Sequence, residues 1–163
     1  MGYLAADALT VARLASGGLL DSGGGINHLG ALIVAELATS GAYEPHVDRL
    51  RAALAGRRDV LAAGLREHVP GATFLLPGGG YFIWLRLPPN VSAAEVLQRA
   101  ASRGTGGLAG SAFTPGGATD RNVIRLSFSM YPPNQLAEAT RRLGAAVRET
   151  QEHEAPAAHV GSR

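Results

Sequence analysis

The chain has 163 residues, 46% hydrophobic and 17% charged, which suits about one compact domain and excludes wholesale disorder. All 15 basic residues are arginine, and a chain without lysine cannot by itself form a Schiff base or build a P-loop. The lack of cysteine excludes disulfides, thiolate nucleophiles and cysteine-based zinc sites, and a net charge of +2 is too small to indicate a nucleic-acid partner.

Localisation and metal binding follow from what the sequence does not contain. It has neither a visible secretory signal nor an apolar run that could cross a bilayer, so we expect a cytoplasmic protein without a membrane partner. The five histidines lack the spacing of metal ligands, and no metal site is predicted.

The N-terminal part of the chain is predicted to be mostly helical. A short strand over residues 2–6 leads into a helix from Asp7 to Ala15, with Asp7 as its N-cap. Residues 26–39 are almost continuously apolar, which predicts a helix buried on most of its surface. Residues 43–69 carry one apolar stripe at spacings of 3, 4 and 7, and a helix of this length usually bridges two subdomains.

The remaining residues alternate between strands and helices. The predicted strands cover residues 72–76, 81–87 and 122–129, and the predicted helices cover residues 92–102 and 135–149. The three glycines between the first two strands, Gly78 to Gly80, are better interpreted as a hairpin turn than as an anion-binding loop, because a strand follows them. The short turn implies antiparallel pairing. The predicted fold class is therefore α/β, or α+β, with helices on one face of a small, mainly antiparallel sheet.

Arg125 is the candidate functional residue with the clearest physical reason. It lies in the middle of an apolar strand, where a guanidinium is costly unless it is paired. On spacing alone, a structural role, as an internal salt bridge or an edge-strand arginine, and a planar fork that binds a carboxylate account for it equally well. Arg86 also lies in a strand, but next to Pro88, and is predicted to face solvent.

Four stretches carry a family resemblance. They are Gly2-Tyr-Leu-Ala-Ala6, His46-Val-Asp-Arg-Leu-Arg51 with Arg57-Arg-Asp59, Gly79-Gly-Tyr-Phe-Ile-Trp-Leu85, and Asn122-Val-Ile-Arg-Leu-Ser-Phe-Ser129. In order and spacing, over about residues 2–148, they resemble the fold-type I, pyridoxal-phosphate-dependent aminotransferases of class I/II. The 2-aminoadipate-type enzymes and the aminotransferase-like domains of GntR-type regulators are the most similar.

The resemblance implies a site and a domain division. Arg125 matches the arginine that holds the substrate's α-carboxylate, and Tyr81 and Phe82 match residues beside the pocket less specifically. Residues 1–40 would be a helical remnant of the large cofactor-binding domain, residues 41–150 the small domain, and residues 151–163 a disordered tail. In one departure from the family pattern, the glycine-rich segment Gly104–Gly110 replaces an apolar strand, so we expect that strand to be frayed.

The resemblance also implies what the chain does. Family members transfer an amino group between an amino acid and a 2-oxo acid with pyridoxal 5'-phosphate, and the Schiff-base lysine would lie just before Met1. We therefore expect a C-terminal segment that is inactive alone, does not bind the cofactor covalently, and acts as a homodimer or with a complementing N-terminal half. The alternatives are a carboxylate-sensing regulatory module, and an interaction protein whose apolar residues Leu29, Ile33 and Leu37 are exposed.

Overall fold

The computed structural model describes residues 5–17, 27–114 and 121–154, which form two units, Met1–Leu50 and Arg51–Arg163. The first unit contains two helices, α1 (Ala8–Ala15) and α2 (His28–Thr39). Asp7 caps α1 as predicted, because its carboxylate accepts hydrogen bonds from the backbone N–H groups of Leu9 and Thr10 at 3.0 Å. The predicted strand at residues 2–6 falls mostly outside the described residues, and Ala5 and Ala6 are not in a strand.

The prediction that the second helix is buried is wrong. No residue of α2 is buried; Leu29 is 71% exposed and Ile33 is 60% exposed, whereas Leu37 is half-buried. An apolar helix is buried only where a second layer covers it. None of the described residues of Met1–Leu50 is buried, so no such layer is present among them.

The long predicted helix is confirmed as α3 (Tyr43–His68), with 26 residues. The division between the two units falls within it, after Leu50. Its buried residues all lie in the C-terminal half, where Leu61, Ala62, Gly64 and Leu65 face the core of the second unit.

The second unit is built on a small three-stranded sheet, and its antiparallel pairing confirms the predicted fold class. Its strands are β1 (Phe82–Arg86), β2 (Leu108–Ala109) and β3 (Val123–Ser127), in the order β1-β3-β2. The central strand β3 pairs Arg125 with Trp84 of β1 and with Leu108 of β2.

The predicted strand at residues 72–76 is wrong. Only Thr73 pairs with the sheet, in an isolated bridge to Arg86 with two N–H···O bonds of 2.8 Å. The chain then leaves the sheet, since Leu75 is 90% exposed and Pro77 has no N–H to donate. The full-length antiparallel partner of β1 is therefore β3, which is distant in sequence, and not the segment before the glycines.

Two further helices complete the unit, α4 (Ala93–Ser102) and α5 (Pro133–Glu154). The hydroxyl of Ser92 caps α4 as predicted, accepting from the N–H of Glu95 at 3.5 Å. Helix α5 extends to Glu154, into the segment predicted to be a disordered tail, and residues 155–163 lie outside the described residues. The core contains residues of one sheet face together with residues of α3, α4 and α5: Ile83, Leu85, Ile124, Leu126, Leu65, Val96 and Val147.

The glycine-rich segment forms a short strand because it lies very close to β3. A Cβ at Gly107 would lie 2.7 Å from Cγ2 of Ile124, and one at Gly110 would lie 2.8 Å from Cβ of Val123. Only residues without a side chain allow this approach. Two residues of the segment are in regular strand, and a short 3-10 helix, Gly110–Phe113, follows directly.

Candidate functional site

Arg125 lies on the face of the sheet that the helices do not cover. The residues of β1 alternate between exposed and buried, and Phe82, Trp84 and Arg86 are the exposed ones. Because Arg125 pairs with Trp84 in the antiparallel register, its side chain shares that open face, while Ile124 and Leu126 point to the core. Arg125 is half-buried there, unlike Arg86, which is exposed as predicted and donates to the Oδ1 of Asn122 at 3.4 Å.

Two aromatic rings flank the Arg125 guanidinium. Its central carbon lies 4.1 Å from the ring centroid of Phe82 and 3.9 Å from that of Phe113. Phe82 belongs to β1 and Phe113 follows β2, and these strands lie on opposite sides of β3, so one ring comes from each side. Trp84 contacts Phe113 edge to face at a centroid distance of 5.4 Å and an interplanar angle of 82°. Cation–π contacts of this kind hold a guanidinium without neutralising its charge.

The polar atoms of Arg125 have no carboxylate partner among the described residues. Its Nε is buried and makes no hydrogen bond within that part of the chain. The internal salt bridge that the sequence allows is therefore not seen there. A buried N–H donor without an acceptor is costly, and a ligand oxygen would relieve that cost.

A cleft of about 840 Å³ opens beside this residue, entirely within Arg51–Arg163. Arg125, Phe82, Gly107, Tyr131 and Gln135 are among its lining residues. The cleft thus combines a cationic group, aromatic walls and room for a small ligand, which are the usual properties of a small-molecule site.

Another part of the cleft carries a fixed acidic group. Hydrogen bonds from Arg141 and then from Arg142 lower the pKa of Glu138 from 4.5 to about 2. Glu138 and Arg142 both line the cleft, and the Arg142 Nε donates to Oε1 of Glu138 at 2.7 Å. Glu138 and Arg142 therefore form an ion pair with each other. Among the described residues that line the cleft, Arg125 is the cation that has no carboxylate partner.

The segment after β3 is fastened to helix α3. Nη1 of Arg57 donates to the carbonyl oxygen of Ser129 at 2.6 Å, and the hydroxyl groups of Ser127 and Ser129 are 3.0 Å apart. Arg58 similarly donates to the carbonyl oxygen of Pro77 at 3.1 Å. The Arg57-Arg58 pair thus fastens the segment after β3 and the segment before the glycine turn to helix α3.

The sequence-predicted site residues are brought together in part. Phe82 lies against Arg125, but Tyr81 is not among the residues that line the cleft. Its ring makes an edge-to-face contact with Phe82 at a centroid distance of 6.4 Å. Phe113 is the residue that sequence reasoning missed. A lone aromatic residue after a glycine-rich stretch was the available signal, but its contact with Arg125 depends on the strand order.

The described residues contain no group of three histidine, aspartate or glutamate side chains placed to bind a metal ion. None of the helices in the described ranges is both long and apolar enough to cross a membrane.

Comparisons with known proteins agree on one family. A family model described as aminotransferase class I and II matches residues 1–143. The 2-aminoadipate transaminase of Thermus thermophilus is 29% identical over 121 residues, which are 74% of this chain and 30% of that protein. The HTH-type transcriptional regulator YdfD of Bacillus subtilis is 31% identical over 126 residues, which are 77% of this chain and 26% of that protein.

The fold also matches solved structures. The crystal structure of LysN, an α-aminoadipate aminotransferase from Thermus thermophilus in complex with N-(5'-phosphopyridoxyl)-L-leucine, has a TM-score of 0.69 at 28% identity. The match covers 74% of this chain and 31% of that chain. The present chain therefore spans 26% to 31% of the length of these relatives.

Proposed function

The chain belongs to the class I and II aminotransferases, and from that premise we propose that its second unit binds the carboxylate of amino-acid and 2-oxo-acid substrates through Arg125. The observation that carries the proposal is a guanidinium at a cleft whose Nε is buried without an acceptor among the described residues. A guanidinium offers parallel N–H donors that match the two oxygens of a carboxylate. Both substrates of an amino-group transfer carry that carboxylate, so one arginine serves both half-reactions.

The residues of this chain do not provide pyridoxal 5'-phosphate with its covalent site. The cofactor supplies the electron sink for amino-group transfer and is held through a lysine. The sequence contains no lysine, so no residue here can make that link. We propose that Arg125 orients the substrate and that the chain alone has no transaminase activity.

An active assembly then requires a lysine from another polypeptide or from further sequence of the same protein. We propose that this chain is one part of such a protein and acts as a homodimer or with a complementing N-terminal half. Amino acids and 2-oxo acids are the proposed ligands, and the cytoplasm is the proposed location. The partial coverage of its relatives, 26% to 31%, supports a partner segment.

The strength of the proposed contact can be judged in advance. One charged hydrogen-bonding contact contributes about 1.5–3 kcal/mol, and a dissociation constant of 1 mM needs about 4 kcal/mol. We therefore expect a Kd between about 5 and about 100 mM for a 2-oxo acid on the chain alone. Nuclear magnetic resonance titration is suited to this range, because it follows weak binding at the Arg125 Nε–Hε signal itself.

The test compares Arg125→Lys with Arg86→Lys. Arg86 lies on the same open face but donates to Asn122, so its replacement controls for the exchange of a guanidinium for an ammonium group elsewhere on that face. We expect pyruvate to shift the signals of residues lining the cleft in the unaltered chain and in Arg86→Lys, and not in Arg125→Lys. Equal shifts in all three proteins would refute carboxylate binding by Arg125. Borohydride treatment with pyridoxal phosphate tests the proposal that this chain has no covalent site for the cofactor. Stoichiometric labelling of an internal residue would contradict that proposal.

A regulatory role is a second candidate, favoured by the 31% identity to an HTH-type transcriptional regulator. In that case, binding of a carboxylate would change assembly and not lead to turnover. Sedimentation velocity with and without a 2-oxo acid distinguishes the two roles. A ligand-dependent change in self-association that is lost in Arg125→Lys favours the regulator, and no change favours the transaminase segment.

A further inference from the structure

We infer that Phe113, together with Phe82, is a positioning residue that holds the Arg125 guanidinium so that only its edge is available to a carboxylate. The inference rests on the proposed carboxylate binding by Arg125 and adds the residues that set its geometry. We call Phe82 and Phe113 the aromatic bracket.

The bracket places one aromatic ring from each neighbouring strand segment beside the guanidinium. The two ring centroids lie 4.1 Å and 3.9 Å from its central carbon, and they approach from opposite sides of β3. Two rings this close to the central carbon restrict the positions that the guanidinium can take. The productive approach for a carboxylate is in the plane of the guanidinium, where the N–H groups point and two parallel hydrogen bonds can form. The unpartnered Nε of Arg125 lies in that plane.

Phe113 is itself held in place by a second ring. It makes an edge-to-face contact with Trp84, at 5.4 Å between centroids. The 3-10 helix that carries Phe113 begins at Gly110, where a Cβ would lie 2.8 Å from Cβ of Val123, so the backbone there is tight against β3. The ring therefore stays beside Arg125 because the sheet fixes both its backbone and its neighbour.

The expected effect follows from the freedom that the bracket removes. An arginine side chain has about three staggered positions at each of its torsions. Releasing one torsion leaves about a third of the molecules ready to bind, and apparent affinity falls in proportion to that fraction. We expect Phe113→Leu to weaken binding about threefold if one torsion is released and about tenfold if two are released.

The experiment follows the Arg125 Nε–Hε signal of the nitrogen-15-labelled chain, assigned by its loss in Arg125→Lys, during titration with pyruvate. Phe113→Leu should move this signal before ligand is added, because a ring 3.9 Å from the guanidinium carbon is gone, and should raise the Kd about threefold to tenfold. Phe113→Tyr keeps the ring, so its Arg125 signal and its Kd should match those of the unaltered chain. Phe74→Leu is the matched control, because Phe74 stacks on another arginine, Arg66, at 5.2 Å, and it should leave both unchanged.

Two results would overturn the inference, and they are distinguishable. If Phe113→Leu binds pyruvate as tightly as the unaltered chain, the bracket has no positioning role, and Arg125 still binds the carboxylate. If the unaltered chain gives no Arg125-dependent shift, the proposed function fails and the inference fails with it. Phe82→Leu removes the other ring from β1 and provides the same comparison if Phe113→Leu does not fold.

Discussion

The crossing of α3 and α5 supports the sheet that carries Arg125, and two glycines make that crossing possible. A Cβ at Gly144 would lie 2.2 Å from the carbonyl oxygen of His68, and a Cβ at Gly64 would lie 2.2 Å from Oγ1 of Thr140. Ordinary contacts between such atoms begin near 3.5 Å. An alanine at either position therefore forces the two helices apart by about 1 Å or displaces the atom that it meets.

The two clashes differ in whether the atom that the new Cβ meets can move away. At Gly144 the obstacle is backbone, which cannot rotate away, so we place its cost at the upper end of the usual overpacking range, about 3 kcal/mol. Replacing glycine by alanine within a helix returns about 1 kcal/mol of propensity. The expected net loss of unfolding free energy for Gly144→Ala is about 2 kcal/mol, which lowers Tm by about 8 °C in a domain of this size.

Gly56 is the matched control, because it lies in the same helix as Gly64 and nothing would lie within 4 Å of its Cβ. Gly56→Ala should raise the unfolding free energy by about 1 kcal/mol. Urea denaturation followed by circular dichroism measures both changes. A result in which Gly144→Ala is as stable as Gly56→Ala would refute the close helix crossing.

The clash at Gly64 allows a rescue experiment. Thr140 is buried, and its hydroxyl already donates to the carbonyl oxygen of Ala137 at 2.7 Å, so it has little freedom to turn. Thr140→Ala removes the atom that an alanine at position 64 would meet. The double variant should therefore be more stable than the sum of the two single changes predicts, and strict additivity would contradict the contact.

Two further predictions concern the borders of the site. The low pKa of Glu138, about 2, means that the folded state holds this carboxylate ionised. The stability that the ionised Glu138 contributes is present above its ordinary pKa of 4.5 and is lost as the pH falls towards 2. Between these pH values, Tm should therefore fall less steeply in Glu138→Gln than in the unaltered chain. Equal slopes of Tm against pH in the two proteins would contradict this. Gly80 has a φ of +79°, so Gly80→Ala should cost about 1–2 kcal/mol in urea denaturation. Gly79→Ala, with nothing within 4 Å, should cost little, and equal losses in both would contradict the strained turn.

Local signals in the sequence predicted the helices well. Asp7 and Ser92 mark helix starts through caps that act within three residues, and the apolar stripe of residues 43–69 identifies α3. The prediction for residues 72–76 was wrong because strand formation depends on a partner. β1 pairs with β3, about forty residues away, and the exposed segment around Leu75 leaves the sheet after Thr73.

The candidate site was likewise predictable from the sequence only in part. The alternation of β3 places Arg125 opposite the core, and a motif in one strand is enough to identify it. Phe113 could not be found by that means, because it reaches Arg125 only through the strand order β1-β3-β2 and the close approach of Gly110 to Val123. Neither fact is encoded in spacing along the chain.

The aromatic bracket also predicts that lysine in place of Arg125 loses carboxylate binding, although both residues carry one positive charge. A guanidinium is flat and weakly hydrated, so two rings can lie about 4 Å from its central carbon while its N–H donors stay at its edge. An ammonium group points its three donors away from any plane and remains strongly hydrated, so the same rings would take away its water and leave donors unpaired. Arg125→Lys should therefore lose carboxylate binding and the stacking together, and a lysine variant that binds pyruvate as well as arginine does would contradict both.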